Sequence, residues 1–389
     1  MRIMFFSGMT VSAGSGGGNT AYNLLEPNPP GSEVFYATPT NHAPHWSPFP
    51  QLSSRICRYE DGARVVALRG GSRIKFIRKF NEKFAKRNLE RSTKSITEQL
   101  SAYIERANIN VLLLCPQSIV DLSVSRELAS DTGLPYVVWF MDDYFHSNGA
   151  SHLVNDILQR ASERFVISEE MRRRFEEVFG CESDVLNNSV DFPVSYPEPV
   201  IRKGGPLRIA YTGALNSYYA DVMRQVLNDL QGLEGKVEID IYSHEELPSH
   251  LKNKHKTPWR HMKPVAAGDL VNTLHQYDVL LMLSSFLPEH KAIAETSLAS
   301  KFADYLAAGR CILAYGPAYA GNVKYVERHN LGVTVTSNTP GNLKDEVLKL
   351  LNEPEYRLEL GFRAFWFGKK TRDKDMNRQR LWRALSNAV

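Results

Sequence analysis

The strongest constraint on this chain is a pattern that occurs twice. Short, unbroken apolar runs of strand length alternate with longer stretches of helical periodicity. In the first half the runs are Ile3–Phe6, Val34–Tyr36, Val65–Leu68, Val111–Cys115, Tyr136–Phe140 and Phe165–Ile167. In the second half they are Arg208–Tyr211, Glu238–Tyr242, Val279–Leu283, Ile312–Tyr315 and Gly332–Val335. Continuous apolar runs of this length suit strands buried on both faces of a parallel sheet, and the helical stretches between them suit crossover helices. The two arrays are separated by Asp191–Pro206, which carries Pro193, Pro197, Pro199, Gly204, Gly205 and Pro206 and reads as a linker. At 389 residues the chain suits two domains of roughly 150 residues each. The expected fold is therefore α/β, with two Rossmann-like, doubly wound parallel-sheet domains facing a cleft. Their expected bounds are 1–195 and 196–370, followed by a closing helix at 371–389 in which Met376, Leu381, Trp382 and Leu385 recur at helical spacing.

Composition narrows the function classes. Hydrophobic residues make up 43% and charged residues 23%, which excludes a disordered chain. A net charge of +4 is too small for a general nucleic-acid binder, so no nucleic-acid partner is expected. The four cysteines (Cys57, Cys115, Cys181 and Cys311) lie far apart with no metal-ligand spacing, so no metal or other cofactor is expected. Reduced thiols suit a cytoplasmic protein. No run approaches the ~18–20 apolar residues of a membrane span, and Met1–Ser7 reads as a first strand.

Four features can carry chemistry. The first is Gly14-Ser15-Gly16-Gly17-Gly18-Asn19, after the first strand and before a helical pattern. Glycines there would let backbone N–H groups approach phosphate oxygens. It lacks the lysine of a Walker loop, and Asn19 stands where a dinucleotide fingerprint needs its last glycine. The second is residues 73–94, where Ile74, Ile77, Phe80 and Phe84 form one helical stripe among nine lysines and arginines. That pattern fits an anionic membrane surface, and it fits equally a domain helix packed on its own sheet. The third is Trp139–His146, at the carboxyl end of a buried strand. Asp142, Asp143 or His146 could serve there as acid, base or hydroxyl anchor. The fourth is Glu295–Ala314. Thr296 and Ser297 are expected to cap a helix and leave its N–H groups free for a diphosphate. Lys301, one turn in, can neutralise phosphate, and Asp304, on the same face, can take two vicinal hydroxyls of a ribose.

The run Ser300-Lys301-Phe302-Ala303-Asp304-Tyr305-Leu306-Ala307-Ala308-Gly309 resembles a signature of the retaining, group-four type of GT-B glycosyltransferases (glycosyl transferases group 1). Phe165–Glu169, Val185–Asp191, Ile209–Gly213 and Gln276–Leu281 resemble other stretches of the same family, in family order over most of the chain. The resemblance implies transfer of a sugar from a UDP- or GDP-sugar donor to a glycan, lipid-linked or small-molecule acceptor. It implies a donor side in the second domain, an acceptor side in the first, and a final helix that crosses back to the first. Asp304 would hold the ribose. Gly213, Glu295, Thr296, Ser297 and Lys301 would surround the diphosphate and donor sugar, with Gly16–Asn19 closing over the diphosphate and Asp142 in the position of a His-Asp pair. Catalytic roles fall to Asp142, Asp143 and Lys301. The chain departs from the pattern in three places. Thr296 replaces an acidic residue, Met141 replaces a His, and Gly213 is followed by Ala214-Leu215-Asn216-Ser217 without the usual Arg and Lys. Lys301, Lys291 or an arginine elsewhere would have to stand in for that pair. A GT-B-fold sugar-nucleotide epimerase and a non-catalytic nucleotide-sugar binder are the alternatives. With the basic helix the expected location is cytoplasmic, at the inner face of a membrane.

Overall fold

In a computed structural model of the chain, residues 1–12, 15–40, 48–60, 75–143, 150–198, 204–215, 217–247 and 258–389 are described, without the side chains of 75–85, 217 and 267. The chain divides into two compact units. One comprises Met1–Ile167, Arg172–Leu186 and Arg378–Val389; the other comprises Ser168–Met171 and Asn187–Asn377.

The first unit is built on β1 (Arg2–Phe6), α1 (Gly16–Leu25), β2 (Glu33–Pro39), β3 (Ile56–Tyr59), α2 (Lys75–Arg106), β4 (Val111–Leu114), α3 (Ile119–Thr132), β5 (Tyr136–Phe140), α4 (Ser151–Arg160), β6 (Glu163–Val166), α5 (Glu169–Phe179) and β7 (Asp184–Val185). Its seven strands lie in the order β3-β2-β1-β4-β5-β6-β7, all parallel. Strands β4 and β5 are buried at every residue, which is why their sequences are unbroken apolar runs. The order reverses direction between β1 and β4, so their carboxyl ends open a crevice of the kind that takes ligands in such sheets.

The second unit contains β8 (Leu207–Thr212), α6 (Ser217–Asp229), β9 (Val237–Tyr242), β10 (Trp259–Met262), α7 (Leu270–Leu274), β11 (Val279–Leu283), α8 (Lys291–Thr296), α9 (Phe302–Ala308), β12 (Cys311–Tyr315), α10 (Gly321–His329), β13 (Gly332–Val335), α11 (Asn342–Asn352) and α12 (Pro354–Thr371). Its parallel sheet runs β10-β9-β8-β11-β12-β13, with the switch between β8 and β11. Alternate residues enter two separate cores. Ile209, Tyr211, Leu281 and Leu313 pack on one face, and Ala210, Leu280, Met282 and Ile312 on the other. The last helix, α13 (Lys374–Ala388), joins the first unit through its later residues. Trp382 Nε1 donates to the Leu24 carbonyl at 3.2 Å, and Arg378 donates to the carbonyls of Asn23 and Glu26 at the end of α1.

The expected α/β class with two doubly wound parallel sheets is what the chain adopts. The proline-rich segment binds its own unit through Arg310. This buried guanidinium donates to the carbonyls of Pro197, Glu198, Gly309 and His275. The expected strand Val65–Leu68, together with Gly14, Arg73, Ile74, His146, Pro199 and Asn216, lies outside the described residues.

Candidate functional site

The second unit's switch point is assembled by Tyr305. Its hydroxyl accepts from the Thr212 N–H at 3.1 Å and donates to the Leu281 carbonyl at 3.2 Å, which fixes α9 to the end of β8 and the middle of β11. One turn earlier on the same face stands Lys301. Its ammonium lies 4.1 Å from the centre of the Tyr211 ring and 5.1 Å from that of Tyr219. It also lies against the backbone of Gly213, where an added Cβ would fall 2.8 Å from Nζ. Gly213 has φ +126, in the region open to glycine, and directly follows β8. The Lys301 ammonium is buried and has no hydrogen-bond partner among the described residues. Burial pushes its pKa down to about 7.

The sequence led us to expect Thr296 and Ser297 at the start of a helix. Instead Thr296 ends α8 and Ser297 caps its C-terminus. Thr296 is buried, its hydroxyl bonds back to the Ala292 carbonyl at 3.3 Å, and its own carbonyl accepts from Ser168 Oγ. The helical pattern continues across 297–301 in sequence, but the backbone breaks there, and α9 restarts with Lys301 as its N-cap residue. Lys301 is therefore at the helix boundary and not one turn inside. Asp304 falls in the first turn of α9, where its carboxyl accepts from its own backbone N–H; burial pushes its pKa up to about 7. No ion pair joins Lys301 to Asp304. Glu295 points elsewhere, 3.7 Å from Lys291 along α8.

Three further residues hold the 297–301 segment and the β8–α6 connection. Asn322 Oδ1 accepts from the Ala299 N–H at 2.9 Å while its Nδ2 donates to Ser284 Oγ at 3.0 Å. Asn188 Nδ2 donates to the Ser300 carbonyl at 2.9 Å. Glu245 Oε2 accepts from Ser243 Oγ at 2.8 Å and from the Leu215 N–H at 3.1 Å. Burial favours the neutral form of Glu245, but these hydrogen bonds outweigh it and lower its pKa. Only Asn188, inside the Val185–Asp191 stretch, carried a sequence signal.

In the first unit the glycine run is a helical turn. Gly16, Gly17, Gly18 and Asn19 are the first residues of α1, and Ser15 is the N-cap, its hydroxyl accepting from the Gly18 N–H at 3.1 Å. A Cβ on Gly18 would lie 2.2 Å from the Thr10 carbonyl, so the helix start packs directly on the strand-end segment. The correction is one of local chemistry: a serine cap three residues before an amide ends the loop sooner than glycine content suggests. The partial positive charge of the helix N-terminus stands at the carboxyl end of β1.

Asp121 completes this end and was not anticipated. It is buried, its Oδ2 accepts from the Gln117 N–H at 3.0 Å, and it bonds the Gly8 N–H. Burial pushes its carboxyl up to about 6 against those hydrogen bonds. The Ser118–Asp121 spacing of a capping box was the available signal. Asp142, half-buried after β5, raises the Cys115 thiol still further above its burial shift. Asp143 is buried and paired to Arg174 Nε at 3.1 Å, a structural tie that occupies the carboxylate. Among the described residues no group of His, Cys, Asp or Glu could hold a metal ion, and no helix is long and apolar enough to cross a membrane.

No protein-family model and no curated protein sequence matches the chain. Solved structures do. Anabaena HepE, crystallised in complex with UDP, is 11% identical, with a TM-score of 0.70 over 99% of this chain and 100% of that one. The UDP-forming α,α-trehalose-phosphate synthase of Burkholderia vietnamiensis is 11% identical with a TM-score of 0.67, over 99% and 100% of the two chains. The sucrose-phosphate synthase of Thermosynechococcus elongatus is 11% identical with a TM-score of 0.66, over the whole of both. Identity this low shows the fold alone, and the fold of this chain is that of the GT-B glycosyltransferases.

Proposed function

We propose that this chain is a glycosyltransferase that moves a sugar from a nucleoside-diphosphate donor, with the donor held at the switch point of the second unit. The observation that carries the reading is the Lys301 ammonium. A buried cation without a hydrogen-bond partner costs several kcal/mol unless an anion offsets it. This one lies at the carboxyl end of β8, beside the bare backbone of Gly213. The HepE structures carry UDP or UDP-glucose, and a nucleotide sugar is the ligand class we assign to this chain.

On this reading Lys301 takes over from the absent Arg and Lys after Gly213, and offsets the charge that grows on the diphosphate as the sugar bond breaks. Asp304 holds the ribose hydroxyls. In the first unit, Asp142 engages the acceptor hydroxyl, and the α1 N-terminus favours negative charge. Asp143 positions Arg174 beside it through their ion pair. We further propose a hexosyl donor, retention of configuration and no divalent ion. The acceptor we propose is a glycan or lipid-linked sugar met at an anionic membrane surface through residues 73–94, as in polysaccharide assembly at the cytoplasmic face.

The test is isothermal titration with UDP, GDP and their sugars, run on the wild type and on Asp304→Ala. Saturable binding of one nucleotide, weakened at least tenfold by the substitution, supports the donor site and names the base. Absence of binding to both nucleotides refutes it. Slow donor hydrolysis without acceptor distinguishes a transferase from a binder, and an epimerised donor identifies the epimerase. Liposome association that survives Lys86, Lys94 and the lysines at 75, 79 and 83 all becoming Glu removes the membrane part.

A further inference from the structure

Helix α12 packs inward through Leu360, Gly361, Ala364, Phe365 and Gly368. Its approach is close: a Cβ on Gly368 would lie 2.5 Å from the Leu306 Cβ. The opposite face is exposed, and Glu355, Glu359, Phe362, Arg363, Trp366 and Lys370 share it at helical spacing. Phe362 and Trp366 are 48% and 44% exposed at the middle of that face, with ring centres 6.1 Å apart. Tyr196 extends the aromatic surface, 5.2 Å from Phe362. Beside them Val194 is 93% exposed. Lys369 fastens the Val194 segment to the helix, its ammonium over the Trp366 ring at 5.4 Å and bonded to the Pro193 carbonyl at 3.1 Å. Large apolar side chains gathered like this on one solvent face mark a contact surface.

Charge decides what fits it. The N-terminal part of the face carries Glu355 and Glu359, the latter paired along the helix to Arg363, and the C-terminal part carries Lys369 and Lys370. An anionic membrane would attract one part and repel the other. A second copy of the same helix, laid antiparallel about a two-fold axis near residues 364–365, meets opposite charge at both ends. Glu359 then faces the second copy's Lys370, Arg363 faces its Trp366, and the aromatic centres meet. We infer that the chain self-associates through this face of α12. The exposed stripe is about 22 Å long, and one helix face buries less than the ~800 Å² per partner of a standard stable interface. The dimer is therefore weak and forms in the micromolar range.

Sedimentation velocity of the full chain over that range tests it. The wild type should shift from monomer to dimer with concentration, and Trp366→Glu should remain monomeric. Lys370→Glu alone and Glu359→Lys alone should each weaken association about tenfold or more. An equimolar mixture of those two single variants should recover it, because both cross-axis pairs are then of opposite sign. Recovery on mixing cannot come from misfolding. A wild type that stays monomeric throughout, a dimer indifferent to Trp366→Glu, or no recovery on mixing overturns the inference. So does a monomer that binds phosphatidylglycerol vesicles through Trp366.

Discussion

Lys301→Met removes the charge and keeps the length of the side chain. The fall of the Lys301 pKa from 10.5 to about 7 means that charging the amine in place costs on the order of 5 kcal/mol, at about 1.4 kcal/mol per unit. The Tyr211 and Tyr219 rings beside the ammonium recover part of that cost, so about half the figure is the expected effect. The sign follows from proton counts. Between about pH 7 and 10.5 the unfolded chain holds the proton and the folded one does not, so stability rises with pH across that window. Below pH 7 the penalty is fully present. The ligand-free Lys301→Met protein should therefore be more stable than wild type by roughly 2 kcal/mol at pH 6.5, about 3 °C in Tm. The gain should shrink to near zero by pH 10. Denaturant unfolding of both proteins at the two pH values measures it. Nucleotide binding should move the other way, falling at least a hundredfold. Wild-type titration at pH 8 should show proton uptake of up to one per ligand, read from buffers of different ionisation enthalpy. A variant that is equally destabilised at both pH values, or that binds nucleotide normally, refutes the reasoning.

Asp304→Asn should behave as the mirror image: the folded carboxyl holds its proton up to about pH 7. The wild type therefore loses stability as pH rises from about 4 to 7, and the variant should lack that slope in a pH series of melting curves. Gly18→Ala should destabilise by about 3 kcal/mol or more in urea titration, because its Cβ cannot clear the Thr10 carbonyl. Asp240→Ala should cost about 1–3 kcal/mol on the same assay, milder than loss of a fully buried ion pair. Arg260 is more than half exposed and keeps Glu238 and water, so the loss is the acceptor of the buried Tyr277 hydroxyl and one side of a partly exposed ion pair. Asp240→Asn should recover part of that loss.

The sheets were legible because burial on both faces writes itself as an unbroken apolar run, as in β4, β5, β11 and β12. Strand β10 was not legible. Its sequence, Trp259-Arg260-His261-Met262, is polar because Arg260 sits opposite Asp240 in the register. Two-residue β7 leaves too little pattern to read. At the site, Lys301 and Gly213 were legible as residues, but their meeting was not. It depends on Tyr305 bridging two strands, a long-range hydrogen bond with no local trace. The helix break at 297–301 was missed for a related reason. It is held by Asn322 and Asn188, far away in sequence, while the local residues favour an uninterrupted helix.

The first unit is closed by residues 378–389, which the ribosome makes after the entire second unit. A nascent chain thus carries β1–β7 for a long time with the α1 carbonyls of Asn23, Leu24 and Glu26 uncapped. The second unit, contiguous apart from Ser168–Met171, can finish first although it begins later. The first unit therefore cannot be completed until the last residues of the chain emerge, whichever unit folds faster.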